Sequence, residues 1–383
     1  MKILVVSNYY YPEHVGGVEV VSYNLVKYYR VFGHSVRWLA ADVAPSFRKI
    51  GDGDVPIHAW NIAEEKFGFP HPIPYLGLIP KIWDAVRWCD VLHLQDSLYP
   101  INILSFVFAK LLRKKPILLT QYAKYIPYEQ SYKRVLQKLA YRTIGWTMFN
   151  FVDRLVFITE TVRLGMSYLS PSLDQEVVPL GVDVELYKPL LDIDREQFRK
   201  QLSGDNAIPI VLFVGRIVER KGIHLLRSLV EKHKEWFWVF VGRPDDFNPS
   251  DWEFSNLLHL QDLSEDELSK IFASADVLVH PSVGEGITLT VANSLACGTP
   301  VLISEESLNE LNEDASRLFF AVTQDSDDIE EKLLFALSDL DQLKNVGEAC
   351  REFAVRRLSW MKMCERYSKI LIDLAERYKM EIK

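Results

Sequence analysis

One pattern constrains this chain more than any other. A short apolar run without alternation, a glycine-containing turn and a helical stretch follow one another, and the whole series starts twice. Lys2–Ser7 is the first such run. Apolar residues with no period-two alternation are expected in a strand covered on both faces. The turn His14-Val15-Gly16-Gly17 follows, then a helical segment Val18–Phe32, a stop at Gly33 and a strand at Val36–Ala40. Further strands are predicted at Val91–Leu94, Ile117–Thr120 and Arg154–Ile158, with helices around Ile101–Leu112 and Tyr132–Phe149. The series restarts at Ile208–Val214. The loop Gly215–Gly222, a helix Ile223–Lys232 and a strand Trp236–Val241 follow. The spacing then predicts a helix over Leu263–Ala273, a strand Val277–His280, a helix Thr288–Ala296, a strand Pro300–Ile303 and a helix Asp327–Leu337. Ser264 with Glu267 three residues on fits a capping box. Strand–helix alternation means a parallel sheet with helices on both faces. The expected architecture is therefore α/β, with two doubly wound domains joined near residues 187–206, where Pro189 and the charged stretch Asp192–Lys200 read as a linker. A last long helix, about Trp360–Lys379, has Met361, Tyr367, Ile370, Leu371 and Leu374 at helical spacing.

Length agrees, since 383 residues are too many for one ordinary core. The net charge of −8 argues against nonspecific nucleic-acid binding. That charge is uneven: Lys and Arg outnumber Asp and Glu in the first 190 residues, and the acidic excess lies beyond them. This fits either an anionic surface or acceptor near the first half, or ordinary surface variation. Cys89, Cys297, Cys350 and Cys364 form no CxxC pair and suit neither zinc nor a disulfide framework, as expected of a reducing cytoplasm. The apolar run Ile3–Val6 is shorter than a signal-peptide core. No run reaches the roughly 18 apolar residues of a membrane span. Two basic, amphipathic stretches, 110–115 and 132–142, read either as helix faces with their apolar side in the core or as contacts with an anionic membrane surface.

Two clusters carry chemistry. Gly215 lets the chain turn off its strand, which places Arg216 and Lys221 at the carboxyl edge of the sheet, where ligands bind in open parallel folds. Two cations there suit a diphosphate; a solvated loop is the plainer alternative. The second cluster is Pro281-Ser282-Val283-Gly284-Glu285-Gly286-Ile287-Thr288, followed by a helix whose N-terminus offers N–H groups to an anion. Glu285 sits just before that terminus, either as a functional carboxylate or as a complement to the helix dipole. His93, in Val91-Leu92-His93-Leu94, is read first as a core histidine with satisfied hydrogen bonds and second as a group reaching an interdomain cleft.

These residues, with Tyr11-Pro12, Gly16-Gly17-Val18-Glu19, Gly33-His34-Ser35-Val36, Pro179-Leu180-Gly181-Val182-Asp183, Tyr187, Pro189 and Ala296-Cys297-Gly298-Thr299-Pro300-Val301, resemble the retaining glycosyltransferases of family 4, also called group 1. The resemblance implies the GT-B fold, two Rossmann-like doubly wound domains facing each other across a cleft. An acceptor-side domain would occupy residues 1–190 and a nucleotide-sugar domain residues 206–358, with the helix of 359–383 packing back toward the first. It implies transfer of a hexosyl-type sugar, with retention, from a nucleoside-diphosphate sugar to a glycan or lipid-linked acceptor, in polysaccharide or lipid-linked glycan assembly. Arg216 and Lys221 would grip the diphosphate and Glu285 the transferred sugar, these three being the catalytic set. Gly16, Gly17, Gly215, Gly286, Ile287, Thr288, Leu289 and Asn293 would complete the donor site. Tyr122 and His93 would stand on the acceptor side. No cofactor and no essential metal are implied. The location would be cytoplasmic, with peripheral contact to the inner membrane face as an option.

The departures from the family pattern set up a rival. Asn293 stands where relatives have a second Glu that binds the ribose. Thr288 replaces a glycine and crowds the backbone's approach to a ligand. Tyr122, in Leu119-Thr120-Gln121-Tyr122, replaces a His and does not titrate near neutral pH. A catalytically weak or silent protein that binds a nucleotide sugar, or serves as a subunit, is the alternative. A nicotinamide-dependent dehydrogenase is poorly supported, because Gly16-Gly17 makes no GxGxxG turn.

Overall fold

The computed structural model describes residues 1–12, 16–42, 53–60, 72–112, 115–123, 131–169, 175–205, 207–245, 247–282, 287–308 and 318–381. The chain divides into two compact units, Met1–Pro179 with Met363–Lys383, and Leu180–Lys362.

The first unit is built on β1 (Lys2–Tyr9), β2 (Ser35–Asp42), β3 (Val55–Trp60), β4 (Ile73–Pro74), β5 (Val91–Gln95), β6 (Ile117–Gln121), β7 (Arg154–Phe157) and β8 (Gln175–Val177). They form one sheet in the order β4-β3-β2-β1-β5-β6-β7-β8. All neighbours are parallel except β3 and β4. The strand order reverses between β1 and β5, which opens a crevice outside their carboxyl ends. Ile3 to Val6 and Val91, Leu92 and Leu94 are fully buried, as their unbroken apolar runs require. The end of the chain belongs to this unit. On the helix Trp360–Glu381, Tyr367 packs against His93 with ring centroids 5.2 Å apart, Ser368 pairs with His34 at 2.9 Å, and Arg366 donates to Glu176 at 2.6 Å.

The second unit carries β9 (Ile210–Val214), β10 (Phe237–Val241), β11 (Leu257–Leu260), β12 (Val277–His280), β13 (Val301–Ser304) and β14 (Phe319–Val322), in the order β11-β10-β9-β12-β13-β14. Every pair is parallel, and the reversal falls between β9 and β12. The capping box is present: Ser264 Oγ accepts from Glu267 N at 3.3 Å and Ser264 N donates to the Glu267 carboxylate at 2.8 Å.

Three features differ from the sequence reading. Residues 180–190, expected with the first half, belong to the second unit. There Val182 bridges to Ser359, and Arg351 donates to the carbonyls of Val184 and Tyr187 at 2.9 and 2.8 Å. The expected linker at Asp192–Lys200 is a helix, Asp192–Ser203. Arg195 and Arg199 lie one turn apart on it and each binds the Asp276 carboxylate at 2.9 Å, so charge anchors the segment. The strands β3, β4, β8, β11 and β14 were not legible in the sequence, because they are half-buried and lack the unbroken buried apolar runs of the others.

Candidate functional site

In the second unit β9 ends at Val214 and the chain enters the loop holding both expected cations. Gly215 N donates to Val241 O at 2.9 Å and Ile217 N to Arg243 O at 3.0 Å, with a bridge between Ile217 and Pro244. The loop is thus zipped to the chain leaving β10. The approach is close: a Cβ on Gly242 would lie 1.8 Å from the Gly215 carbonyl oxygen, so only glycine fits. A short 3-10 turn, Glu219–Lys221, follows. Gly222 then takes φ +75° with its Cβ position 2.8 Å from Pro281 Cγ. That contact joins the loop after β9 to the loop after β12, across the strand-order reversal.

Lys221 is 9% exposed, and its Cε reaches to 3.8 Å from a Cβ position on Gly215, so the side chain lies back over the strand end. Arg216 is exposed, with Asp245 3.9 Å away; a pair so open to solvent contributes little and leaves the guanidinium available to a ligand. Val283, Gly284, Glu285 and Gly286 lie outside the described residues. Beyond them Ile287 is buried and the helix Leu289–Ala296 begins. Thr288 is its N-cap, and its hydroxyl accepts from Val291 N at 3.3 Å. The residue read as crowding the site therefore closes one of the helix's open donors. Leu289 and Asn293 lie half-buried on the same helix. Ser282 Oγ, fully buried just past the end of β12, has no hydrogen-bond partner among the described residues.

The remaining expected residues lie in the first unit. Gly16 caps the helix Gly17–Val31 in extended conformation. A Cβ on Gly17 would meet nothing within 4 Å among the described residues, so their packing does not demand glycine there. His93 lies inside β5 rather than beyond it. It is fully buried, with Nδ1 paired to Tyr29 at 3.1 Å and Nε2 to Thr120 at 2.9 Å. Burial pushes its pKa down to about 3, which removes it from proton transfer near neutrality. Tyr122 follows β6 and its hydroxyl donates to Gln95 Oε1; burial holds that phenol well above its usual pKa.

Sequence reasoning missed Asp96, which follows β5 directly. It is a non-glycine residue with φ 76°. Its Oδ1 accepts from Ser97 N at 2.7 Å and its Oδ2 from Gln121 Nε2 at 3.2 Å. Burial raises its carboxyl to about 6 against the lowering pull of those donors. The only signal in the sequence was an acid placed where a buried strand ends.

With this geometry in place, comparison with known proteins supplies the class. The chain aligns over 97% of its length with the structure of HepE from Anabaena in complex with UDP and glucose, covering 99% of that chain at 16% identity and a TM-score of 0.71. The fold is GT-B. The family model described as "Glycosyl transferases group 1" matches residues 194–353 and the model "Glycosyltransferase Family 4" residues 15–186. Between them they span most of both units, and the chain belongs to the family 4, group 1 glycosyltransferases. An uncharacterized glycosyltransferase of Methanocaldococcus jannaschii is 20% identical over 97% of this chain and 98% of its own length. The N,N'-diacetylbacillosaminyl-diphospho-undecaprenol alpha-1,3-N-acetylgalactosaminyltransferase of Campylobacter jejuni is 24% identical over 59% of this chain and 63% of its own length.

Proposed function

We propose that this chain transfers a sugar from a nucleoside-diphosphate sugar, held on the second unit, to a glycan or lipid-linked acceptor on the first, with retention of anomeric configuration. One observation carries the reading: the loop bearing Arg216 and Lys221 is pinned at both ends, by Gly242 and by Pro281, at the strand-order reversal of the second sheet. Cations held in fixed positions at such a crevice stabilise a departing diphosphate without reorganising. In the proposed step the bond from the anomeric carbon to the phosphate oxygen breaks. The acceptor oxygen bonds to that carbon from the same face, and its proton passes to the leaving phosphate oxygen. Glu285 orients the sugar; Gly286, Ile287, Leu289 and Asn293 contact the donor. The diphosphate's charge is met by side chains, so no metal and no cofactor is assigned a role.

The HepE complex with UDP and glucose supports a nucleotide-sugar donor, and the Campylobacter enzyme's name supports a lipid-linked acceptor. The first unit adds a surface that suits one. For the helix Ser131–Ala140 the sequence left two readings, an apolar side packed in the core or a contact with an anionic membrane surface, and the core reading does not fit. The helix exposes Tyr132, Val135, Leu136 and Leu139 and buries Gln137. Lys133, Arg134 and Lys138 lie on the same helix, an arrangement suited to peripheral contact with an anionic bilayer at its cytoplasmic face. The other basic stretch is a poorer candidate: Lys110 lies 3.7 Å from Asp153 and Lys115 donates to backbone carbonyls, while Arg113 and Lys114 lie outside the described residues. Among the described residues no helix is long and apolar enough to cross a membrane.

The rival, a protein that binds donor without turnover, draws on the Thr288 cap, on Asn293 and on Tyr122. Incubation with UDP-, GDP- and ADP-sugars and a mixed pool of glycan and lipid-linked acceptors separates the two. The proposal expects a product whose new linkage has the donor's anomeric configuration by proton NMR. An inverted linkage refutes retention, and tight donor binding with no turnover in any mixture favours the rival.

A further inference from the structure

The loop of Arg216 and Lys221 leans on a segment that contains neither residue. Residues 241–245, at and beyond the end of β10, receive it. Gly215 N donates to Val241 O at 2.9 Å, Ile217 N to Arg243 O at 3.0 Å, and Asp245 N returns a bond to Ile217 O at 3.3 Å. Gly242 sits inside this zipper, against the Gly215 carbonyl. Gly215 and Gly242 both take φ 152°. Glycine has many conformations open to it at little cost, so the Gly242 peptide is held in this one by groups outside it.

Strand β11 holds that peptide at both ends. Gly242 N donates to Leu260 O at 2.9 Å, and His259 Nε2 lies 2.8 Å from Gly242 O. A carbonyl oxygen only accepts, so Nε2 carries a hydrogen. Nδ1 lies 2.9 Å from the hydroxyl of Ser250, on the 3-10 turn Pro249–Trp252. That hydroxyl donates to the neutral ring and fixes the tautomer. The other three residues of β11 are leucines, so the one polar side chain of the strand is the one aimed at Gly242. A second link joins the same two segments, with Arg243 donating to Asp262 at 2.7 and 2.9 Å. Those side chains are 79% and 64% exposed, and an ion pair so open contributes little. The half-buried histidine is the stronger hold.

We propose that His259 is a positioning residue for the donor diphosphate: through Gly242 it fixes the backbone of Gly215, and with it the places of Arg216 and Lys221. It acts through the backbone and not by contact with the ligand. Electrostatic stabilisation depends on groups already in place when charge develops, so a side chain one step removed from the cations still acts on both binding and turnover. The role asks for a hydrogen at Nε2 and not for a charge, so an amide in the same place serves it. The inference rests on the donor reading of that loop, and one of its readouts therefore uses no donor.

The test uses the full-length chain with two substitutions. His259→Phe keeps a flat ring and removes the N–H; His259→Gln brings an amide nitrogen to the same carbonyl. Amide hydrogen exchange at Ile217 is read by NMR, with the amide of Leu278, which bonds to Pro300 O at 2.9 Å, as the control. Affinity for UDP-, GDP- and ADP-sugars is measured by calorimetry on the same proteins. His259→Phe is expected to speed exchange at Ile217 by about three- to tenfold, the loss of one hydrogen bond, and to leave Leu278 within about twofold of the parent. The nucleotide sugar that the parent binds best should bind about three- to tenfold more weakly. His259→Gln should bring both readouts back to within about twofold of the parent. Ser250→Ala, which frees the ring's hydrogen to move to Nδ1, is the second variant should His259→Phe fold poorly, and it should speed exchange at Ile217 by about two- to threefold. Unchanged exchange at Ile217 in His259→Phe overturns the proposal. So does equal impairment of the Phe and Gln variants, or an equal change at Leu278, which marks a general loosening of the unit. Faster exchange at Ile217 with unchanged donor affinity overturns the positioning role and leaves the donor reading standing. A parent that binds no nucleotide sugar removes the donor reading, and the hold on the loop then stands or falls on exchange alone.

Discussion

At the residue scale, two buried titratable groups three residues apart, in β5 and just past its end, answer burial in opposite ways. His93 is pushed down to about 3 and stays neutral; Asp96 is pushed up to about 6. For Asp96 the linkage runs against the usual carboxylate. The folded state holds its proton more tightly than the unfolded state, so stability is present at low pH and is lost as pH rises from the ordinary aspartate value toward 6. Asp96→Asn mimics the neutral form. It keeps the bond from Ser97 N, and a turned Gln121 amide would offer its oxygen to the new NH₂. The variant is expected to be more stable than the parent by about 1–3 kcal/mol at pH 7.5, with the gap narrowing to about a third of that by pH 4.5. Urea melts at the two pH values check this; a variant less stable at pH 7.5 contradicts it.

At the element scale, the two loops of the second unit were legible and their fixing was not. The sequence shows Gly215, Arg216, Lys221 and Gly222 in order, and the parallel-sheet rule places them at the carboxyl edge. It does not show that Gly242, just past the end of β10, must be glycine because Gly215 O lies against it. That contact is non-local and has no periodicity to betray it. Gly242→Ala is expected to cost about 1–3 kcal/mol of stability and to lower donor affinity, since relief of the clash moves Gly215 and Arg216. Unchanged melting and donor affinity would show that the pinning does not matter. The helix Ser131–Ala140 teaches the converse. Its amphipathic spacing was readable, but which side faces the core was not, because spacing fixes the angle between faces and not their direction. Val135→Asp with Leu139→Asp is expected to abolish binding to vesicles containing anionic lipid while leaving thermal stability within roughly 0.5 kcal/mol, as for surface positions. Co-sedimentation measures it, and undiminished binding would remove that face from the membrane reading.

At the scale of the whole molecule, each unit repeats one plan with opposite chemistry at the crevice. The sheets share a strand-order reversal and differ in the groups set beside it: Arg216 and Lys221 in the second unit, Asp96 in the first. The double start of the strand–turn–helix series made both sheets readable. The β-branched and apolar runs of β1, β5, β9 and β12 leave few alternatives to a buried parallel strand. The edge strands escaped because an edge has less to bury. The division at Pro179–Leu180 was missed for a related reason: residues 180–190 are tied to the second unit by Arg351 and Ser359, far along the chain. The most direct test is calorimetric titration of the parent and of Lys221→Ala with the nucleotide sugar that the parent binds best. A buried ammonium that holds the diphosphate predicts an affinity loss of about 10- to 100-fold, with turnover falling further. Equal affinity and equal turnover in the two proteins would contradict it.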